Sequence, residues 1–125
     1  MLVRTLDALR GTEHEVDWGN GISRRLLVAR DGWGFTVTET EVLADTRSLL
    51  RYDNHWEACL CVGGAGTVES AAGRFEVRPG TLYAPARGEE HLLSSAHGLR
   101  LICVFNPALN GSEQHRLSAG RASSY

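Results

Sequence analysis

The stretch Asn54-His55-Trp56-Glu57-Ala58-Cys59-Leu60-Cys61-Val62-Gly63-Gly64 decides how the rest of the chain reads. Successive side chains of an extended strand face opposite sides. His55, Glu57, Cys59 and Cys61 therefore share one face, and Ala58, Leu60 and Val62 share the other. Both faces are largely apolar, as in a strand that lines a barrel on one side and packs on a second layer or subunit on the other. Leu99 to Phe105 repeats the pattern, with Leu101, Cys103 and Phe105 opposite Ile102 and Val104. Glu57 is the anomaly in this run, because burying a lone carboxylate is costly unless it is paired or bound to a metal.

Outward from this stretch, short apolar segments alternate with turn residues. Strands are predicted over Leu2 to Thr5, Arg24 to Ala29, Phe35 to Leu43, Ser48 to Tyr52, Glu57 to Val62, Thr67 to Ser70, Arg74 to Val77, Thr81 to Ala84, His91 to Ser94 and Leu99 to Phe105. Asp31-Gly32, Gly63-Gly64, Gly73, Pro79-Gly80, Gly88 and Gly98 mark the turns between them. Many strands at a spacing of roughly 8–12 residues predict an all-β sandwich or barrel with few helical turns, and only Leu6 to Arg10 reads as helical. The chain of 125 residues suffices for one core. Residues 1–117 are expected to form that single domain, and 118–125, rich in Ser, Gly, Ala and Arg, a flexible tail.

Composition narrows the function. The 13 basic residues are all Arg, set against 15 acidic ones, for a net charge of −2. That balance argues against nucleic-acid and membrane-surface partners. The absence of Lys excludes Schiff-base, PLP and P-loop chemistry, each of which needs a lysine amine. No apolar run is long enough to span a bilayer and no basic-then-apolar leader precedes Val3, so a cytoplasmic protein is expected. Three Cys, two of them only two residues apart, fit reduced thiols there.

Chemistry is concentrated in a few positions. His55 and Glu57 at i and i+2 project side by side, a spacing suited to gripping one ion. Pro79-Gly80 makes a tight turn that delivers Tyr83 at a strand start, with His91 expected on its hairpin partner. Oxygens of Glu57 and Tyr83 with the imidazole of His91 form a mixed N/O set. Such a set suits iron(II), manganese or zinc better than calcium or a soft-thiolate metal. On spacing alone, Tyr83 reads equally as a core aromatic and His91 as a loop residue. Cys59, Cys61 and Cys103 read by default as small buried hydrophobes.

These segments together resemble the cupin barrel and, more narrowly, the L-ectoine synthase family, over about residues 2–116. The matching stretches are Gly11-Thr12-Glu13, Trp18-Gly19-Asn20-Gly21, Ser23-Arg24-Arg25-Leu26-Leu27, Asp31-Gly32, Tyr52 with Asn54-His55, Glu57-Ala58-Cys59, Pro79-Gly80-Thr81-Leu82-Tyr83-Ala84, Cys103-Val104-Phe105-Asn106-Pro107 and Gly111-Ser112-Glu113-Gln114-His115. The resemblance implies a small cupin-type jelly-roll barrel. It also implies closure of N-γ-acetyl-L-2,4-diaminobutyrate to the cyclic amidine ectoine, a compatible solute, with loss of water. Iron(II) is the implied metal, with manganese or zinc as substitutes, and Glu57, Tyr83 and His91 its ligands. Glu113, Tyr52 and His115 are the implied catalytic residues. Arg25, Thr40, Cys103 and Phe105 are implied substrate contacts, and Trp18 takes the place of a family tryptophan that would fall at Gly21. A homodimer is implied, and an N-terminal strand is expected to join it.

The reaction fits these residues. Arg25 offers a two-pronged grip for a carboxylate. Glu113 and His115, two apart, could move protons at the amine and the leaving oxygen. Phe105 supplies an apolar wall, and a closed cup keeps water from reversing the dehydration. The sequence departs from the family at Leu60, Gly63, Ala65, Pro85, Ala86 and Gly88, where a tyrosine, two glutamates, a leucine, an aspartate and a histidine are usual. Those departures keep an alternative open, a non-catalytic or divergent cupin module that binds a small metabolite.

Overall fold

A computed structural model describes residues 1–118 and 120–125; Ala119, within the segment read as a tail, lies outside the described residues. The chain runs α1 (Leu6–Leu9), β1 (Glu15–Asp17), β2 (Ile22–Leu27), a 3₁₀ turn (Ala29–Asp31), β3 (Thr36–Val42), β4 (Thr46–Arg51), β5 (Trp56–Gly64), β6 (Gly66–Ser70), β7 (Gly73–Val77), β8 (Leu82–Tyr83), β9 (His91–Ser95), β10 (Leu99–Asn106) and β11 (Ser123–Ser124). Six strands form one sheet in the order β1-β2-β3-β10-β5-β8, and five form the other in the order β11-β4-β9-β6-β7. All pairings are antiparallel except β11 on β4. The result is an all-β jelly roll of two sheets, each with its own edge strands.

Alternation builds the core between the sheets. Along β5, Glu57, Cys59 and Cys61 are buried while Trp56, Leu60 and Val62 are exposed; along β10, Leu101, Cys103 and Phe105 are buried while Val104 is exposed. Trp18, Val42, Leu50, Tyr52, Val68, Val77, Leu93 and Leu109 complete the apolar cluster. Burying each large apolar side chain contributes about 1.5–3 kcal/mol. The β5–β6 corner depends on Gly64, at φ +78°, where a Cβ would collide with the Gly98 carbonyl.

Three expectations are corrected. Residues Leu2–Thr5 are not a strand: Thr5 instead caps α1, accepting from the Ala8 amide. Arg4 reaches Asp31 in a two-pronged ion pair (2.7 and 2.8 Å) and donates to the Leu26 carbonyl, so the chain start is held by side chains and not by a ladder. Tyr83 and His91 are not hairpin partners, because β8 adds to the edge of the six-stranded sheet while β9 lies inside the five-stranded one. The segment read as a flexible tail carries β11, in register with Leu50 and Arg51, and ends with Tyr125 packed on the core.

Candidate functional site

Between the sheets lies a cavity lined by residues from both. Trp18, Thr40, Tyr52, Glu57, Tyr83, Cys103, Phe105 and His115 all face it, together with Ser23, Cys59 and Tyr125. Sheet parity explains the convergence. Phe105 pairs with Glu57 and Cys103 with Cys59 across β10 and β5, and Cys59 pairs with Tyr83 across β5 and β8. Directly opposed residues project from the same face. The departures at residues 60, 63, 65, 85, 86 and 88 all lie outside this lining.

Glu57 sits at the bottom of this electrostatic problem. Burial pushes its carboxyl up to about 7, although the Cys59 thiol hydrogen-bonds it and pulls the other way. Burial also raises Tyr52 and Tyr83 well above the usual phenol range, with Glu57 adding to the shift in Tyr52 and Cys59, then Glu57, in Tyr83. The cavity floor is therefore rich in oxygen and sulfur donors.

His91 stands on the inner face of the five-stranded sheet, 2 % exposed. Its Nδ1 donates to the Glu89 carbonyl at 3.0 Å, which leaves Nε2 as the bare lone pair. That Nε2 is buried with no hydrogen-bond partner. Burial lowers its pKa and keeps the ring neutral, against the Glu89 carbonyl and charge. A neutral imidazole oriented by a backbone carbonyl is how proteins present a metal-ligating histidine. The donor types of Glu57, Tyr83 and His91 thus fit a divalent ion. His91 itself lines an outer groove that it shares with Tyr83, outside the central cavity.

Arg25 and Glu113 pair beside the cavity without lining it. The Arg25 side chain is 1 % exposed; Nη2 donates to the Glu113 carbonyl at 2.7 Å and Nε to Ser23 Oγ at 3.4 Å. Its Nη1 lies 3.6 Å from Glu113 Oε1, too far for a hydrogen bond, and has no other partner. A buried guanidinium with a free prong is equipped for an anion. Partial burial works to raise Glu113, but amide donations from Gly111 and Asn110 (2.8 Å each), with the Arg25 charge, bring it below the usual range. Glu113 is ionised. Arg24, by contrast, is structural: it bridges Glu15 and the buried Glu39 across β2 and β3.

His115 links the tail to the cavity. Its Nε2 hydrogen-bonds the Tyr52 hydroxyl and its Nδ1 the Ser123 hydroxyl, both at 2.9 Å. Burial, then electrostatic repulsion from the neighbouring His91 and Arg25, lowers its pKa to about 3. Trp18 approaches it edge-on at 6.2 Å, its indole donating to the Glu41 carbonyl at 2.9 Å. No side chain could stand at Gly21, where a Cβ would strike that same carbonyl, so the tryptophan at position 18 is the one this backbone can seat. Thr40 bonds Thr38 at 2.9 Å. His55, beside Glu57 in sequence, donates instead to the Pro107 carbonyl at 2.7 Å and stays outside the cavity lining.

Sequence reasoning missed two residues. Tyr125 packs on His115 (ring centroids 4.2 Å) and on Tyr52 (5.1 Å), and lines the cavity, whose volume is about 30 Å³. That is room for about two waters. No sequence signal marked it, since only the β11 pairing brings it inward. Cys59 is the second. Its sulfur, that of Cys103 and a Glu57 oxygen lie within 4.8 Å of one another, a buried group with metal-ligating atoms. Shared parity with Glu57 was the available signal. All three cysteines are free.

A sequence model of the ectoine synthase family matches residues 1–123. The L-ectoine synthase of Desulfatibacillum aliphaticivorans is 44 % identical over 119 residues, spanning 92 % of each chain. The crystal structure of ectoine synthase from P. lautus superposes with a TM-score of 0.84 at 38 % identity, covering 89 % of this chain and 81 % of that one. A cupin conserved barrel domain protein from Salinispora arenicola shares the fold, with a TM-score of 0.64 at 17 % identity over 84 % of this chain and 87 % of that one. The chain has the cupin fold, and it belongs to the ectoine synthase family.

Proposed function

We propose that the chain is an L-ectoine synthase, closing N-γ-acetyl-L-2,4-diaminobutyrate to ectoine with loss of water. The observation that carries this reading is the shared cavity: Trp18, Thr40, Tyr52, Glu57, Tyr83, Cys103, Phe105 and His115 face one space. In the reaction the α-amine nitrogen bonds to the acetyl carbon, and the acetyl oxygen departs as water with both protons of the amine. Arg25 holds the substrate carboxylate with its free Nη1 prong. Tyr52, protonated and fixed by His115, donates a hydrogen bond to the acetyl oxygen. Glu113, ionised beside Arg25, accepts a proton from the amine, and His115 passes protons to and from the Tyr52 hydroxyl. Phe105 and Trp18 wall the space against water. Cys103 and Thr40 contact the substrate.

The cation we assign to Glu57, Tyr83 and His91 is iron(II), with manganese or zinc as substitutes. When bound it supplies Lewis-acid polarisation of the acetyl oxygen, worth several kcal/mol at the transition state. The bare, buried Nε2 of His91 supports this donor set. Among the described residues no helix is long and apolar enough to cross a membrane, and the free thiols support a cytoplasmic setting. We assign a homodimer through the outer face of the six-stranded sheet. There Trp56, Leu60, Val62, Leu82 and Val104 are exposed together, and a monomeric mass in light scattering would count against it.

Incubation of the purified protein with iron(II) and the acetylated diamine, followed by chromatography, tests the activity. Cyclic product is expected, and Glu57→Ala should abolish it while the far-ultraviolet spectrum stays that of the folded protein. Substrate binding without product from the wild-type protein would instead favour the metabolite-binding module.

A further inference from the structure

Cys59 occupies the centre of the donor cluster. On the inner face of β5 it follows Glu57 by two residues, faces Cys103 across β10 and faces Tyr83 across β8. All of Glu57, Cys59 and Cys103 are buried, and their donor atoms lie within 4.8 Å of one another. Cys59 lines the same cavity as Glu57, Tyr83 and Cys103. Cys61, on the same face, is set apart: its sulfur bonds the Gly63 carbonyl at 3.2 Å.

Buried cysteines serve most often as small hydrophobes. Two of them clustered around a buried carboxylate are different, because that carboxylate needs a proton or a cation. Glu57 and Tyr83 flank Cys59 in the sheet register, so an ion that both could touch has the Cys59 sulfur beneath it. Zinc bonds sulfur at about 2.3 Å and carboxylate oxygen at about 2.0–2.2 Å, which brings ligand atoms to within roughly 4 Å of one another.

We propose that Glu57, Cys59 and Cys103 form a sulfur-containing site for a thiophilic divalent cation, zinc foremost, with its fourth position open toward the cavity. Both thiols give up their protons on binding, as thiolate ligation requires. The site shares Glu57 with the N/O set assigned under the proposed function, so one ion occupies the cavity floor at a time. It does not depend on turnover.

Cobalt(II) substitution reads the ligands directly, because thiolate-to-cobalt charge transfer gives an intense near-ultraviolet band that oxygen and nitrogen ligands do not. The metal-free protein titrated with cobalt(II) should show that band. It should persist in Cys61→Ala and His91→Gln, fall to about half in Cys59→Val and in Cys103→Ala, and vanish only when both are replaced, and zinc affinity should fall by on the order of tenfold or more in each single variant. The proposal is overturned if cobalt is not taken up, if bound cobalt shows no sulfur band, or if the band tracks Cys61. Absence of ectoine formation with a sulfur band present would overturn the enzymatic reading and leave this site standing.

Discussion

Acid stability offers a direct measure of how deeply His115 is held. Burial leads its pKa down from 6.5 to about 3. Below about pH 6.5 the unfolded chain binds a proton that the folded chain refuses. This contribution to stability is therefore complete above about pH 6.5 and shrinks as the pH falls toward 3. The loss is about 1.4 kcal/mol near pH 5.5 and about 2.7 kcal/mol near pH 4.5. Glu57 acts in the opposite sense. Its carboxyl, raised from 4.5 to about 7 by burial, keeps a proton that the unfolded chain releases. Its contribution is complete below about pH 4.5, is lost as the pH rises through 7, and grows by about 2 kcal/mol on acidification to about pH 5.5. The two effects nearly cancel in the wild-type curve. His115→Gln keeps a polar side chain without a titrating group, so the difference between the two proteins isolates His115. Urea unfolding near pH 7.5, 5.5 and 4.5 should show the stability of the wild type relative to the variant falling by those amounts. A difference that stays constant with pH would refute a neutral, desolvated His115.

Two further outcomes are expected from the same cavity. Arg25→Lys keeps the charge but loses the fork, and hydrogen bonds to charged groups are worth about 1.5–3 kcal/mol, so KM for the acetylated diamine should rise roughly ten- to a hundredfold; an unchanged KM counts against carboxylate binding there. Tyr125 lines the small cavity and packs on Tyr52 and His115, and a site open only part of the time binds in proportion to its open fraction. Tyr125→Ala should therefore lower KM severalfold with kcat retained, and a raised KM in steady-state kinetics would show that the ring positions substrate instead of competing with it.

The period-two pattern around Glu57 was legible because strand geometry fixes which side chains share a face, whatever the strand later packs against. It marked β5 and β10 within a residue or two of their bounds, and it singled out Glu57 as a carboxylate in a buried run. It also carried Cys59, whose place beside Glu57 follows from spacing alone. The partners across the sheet did not. That β8 joins β5 while β9 joins β4 and β6 depends on pairing between segments far apart in sequence, which no local pattern encodes. For the same reason Leu2–Thr5, apolar and strand-like, is claimed by the Arg4–Asp31 ion pair, and the Ser-rich end of the chain is drawn onto β4.

The sequence by itself determined an all-β chain, the inward face of each long strand, the family, and the residue types available for a metal. Tertiary structure alone decided that His91 presents a bare nitrogen from the opposite sheet, that Arg25 keeps one prong without a hydrogen bond, that two sulfurs gather on Glu57, and that Tyr125 lines the cavity. The physical reason is that alternation is a property of one strand's covalent geometry. Desolvation, unsatisfied donors and shared ligands instead arise only when separate strands are brought within a few ångströms of each other.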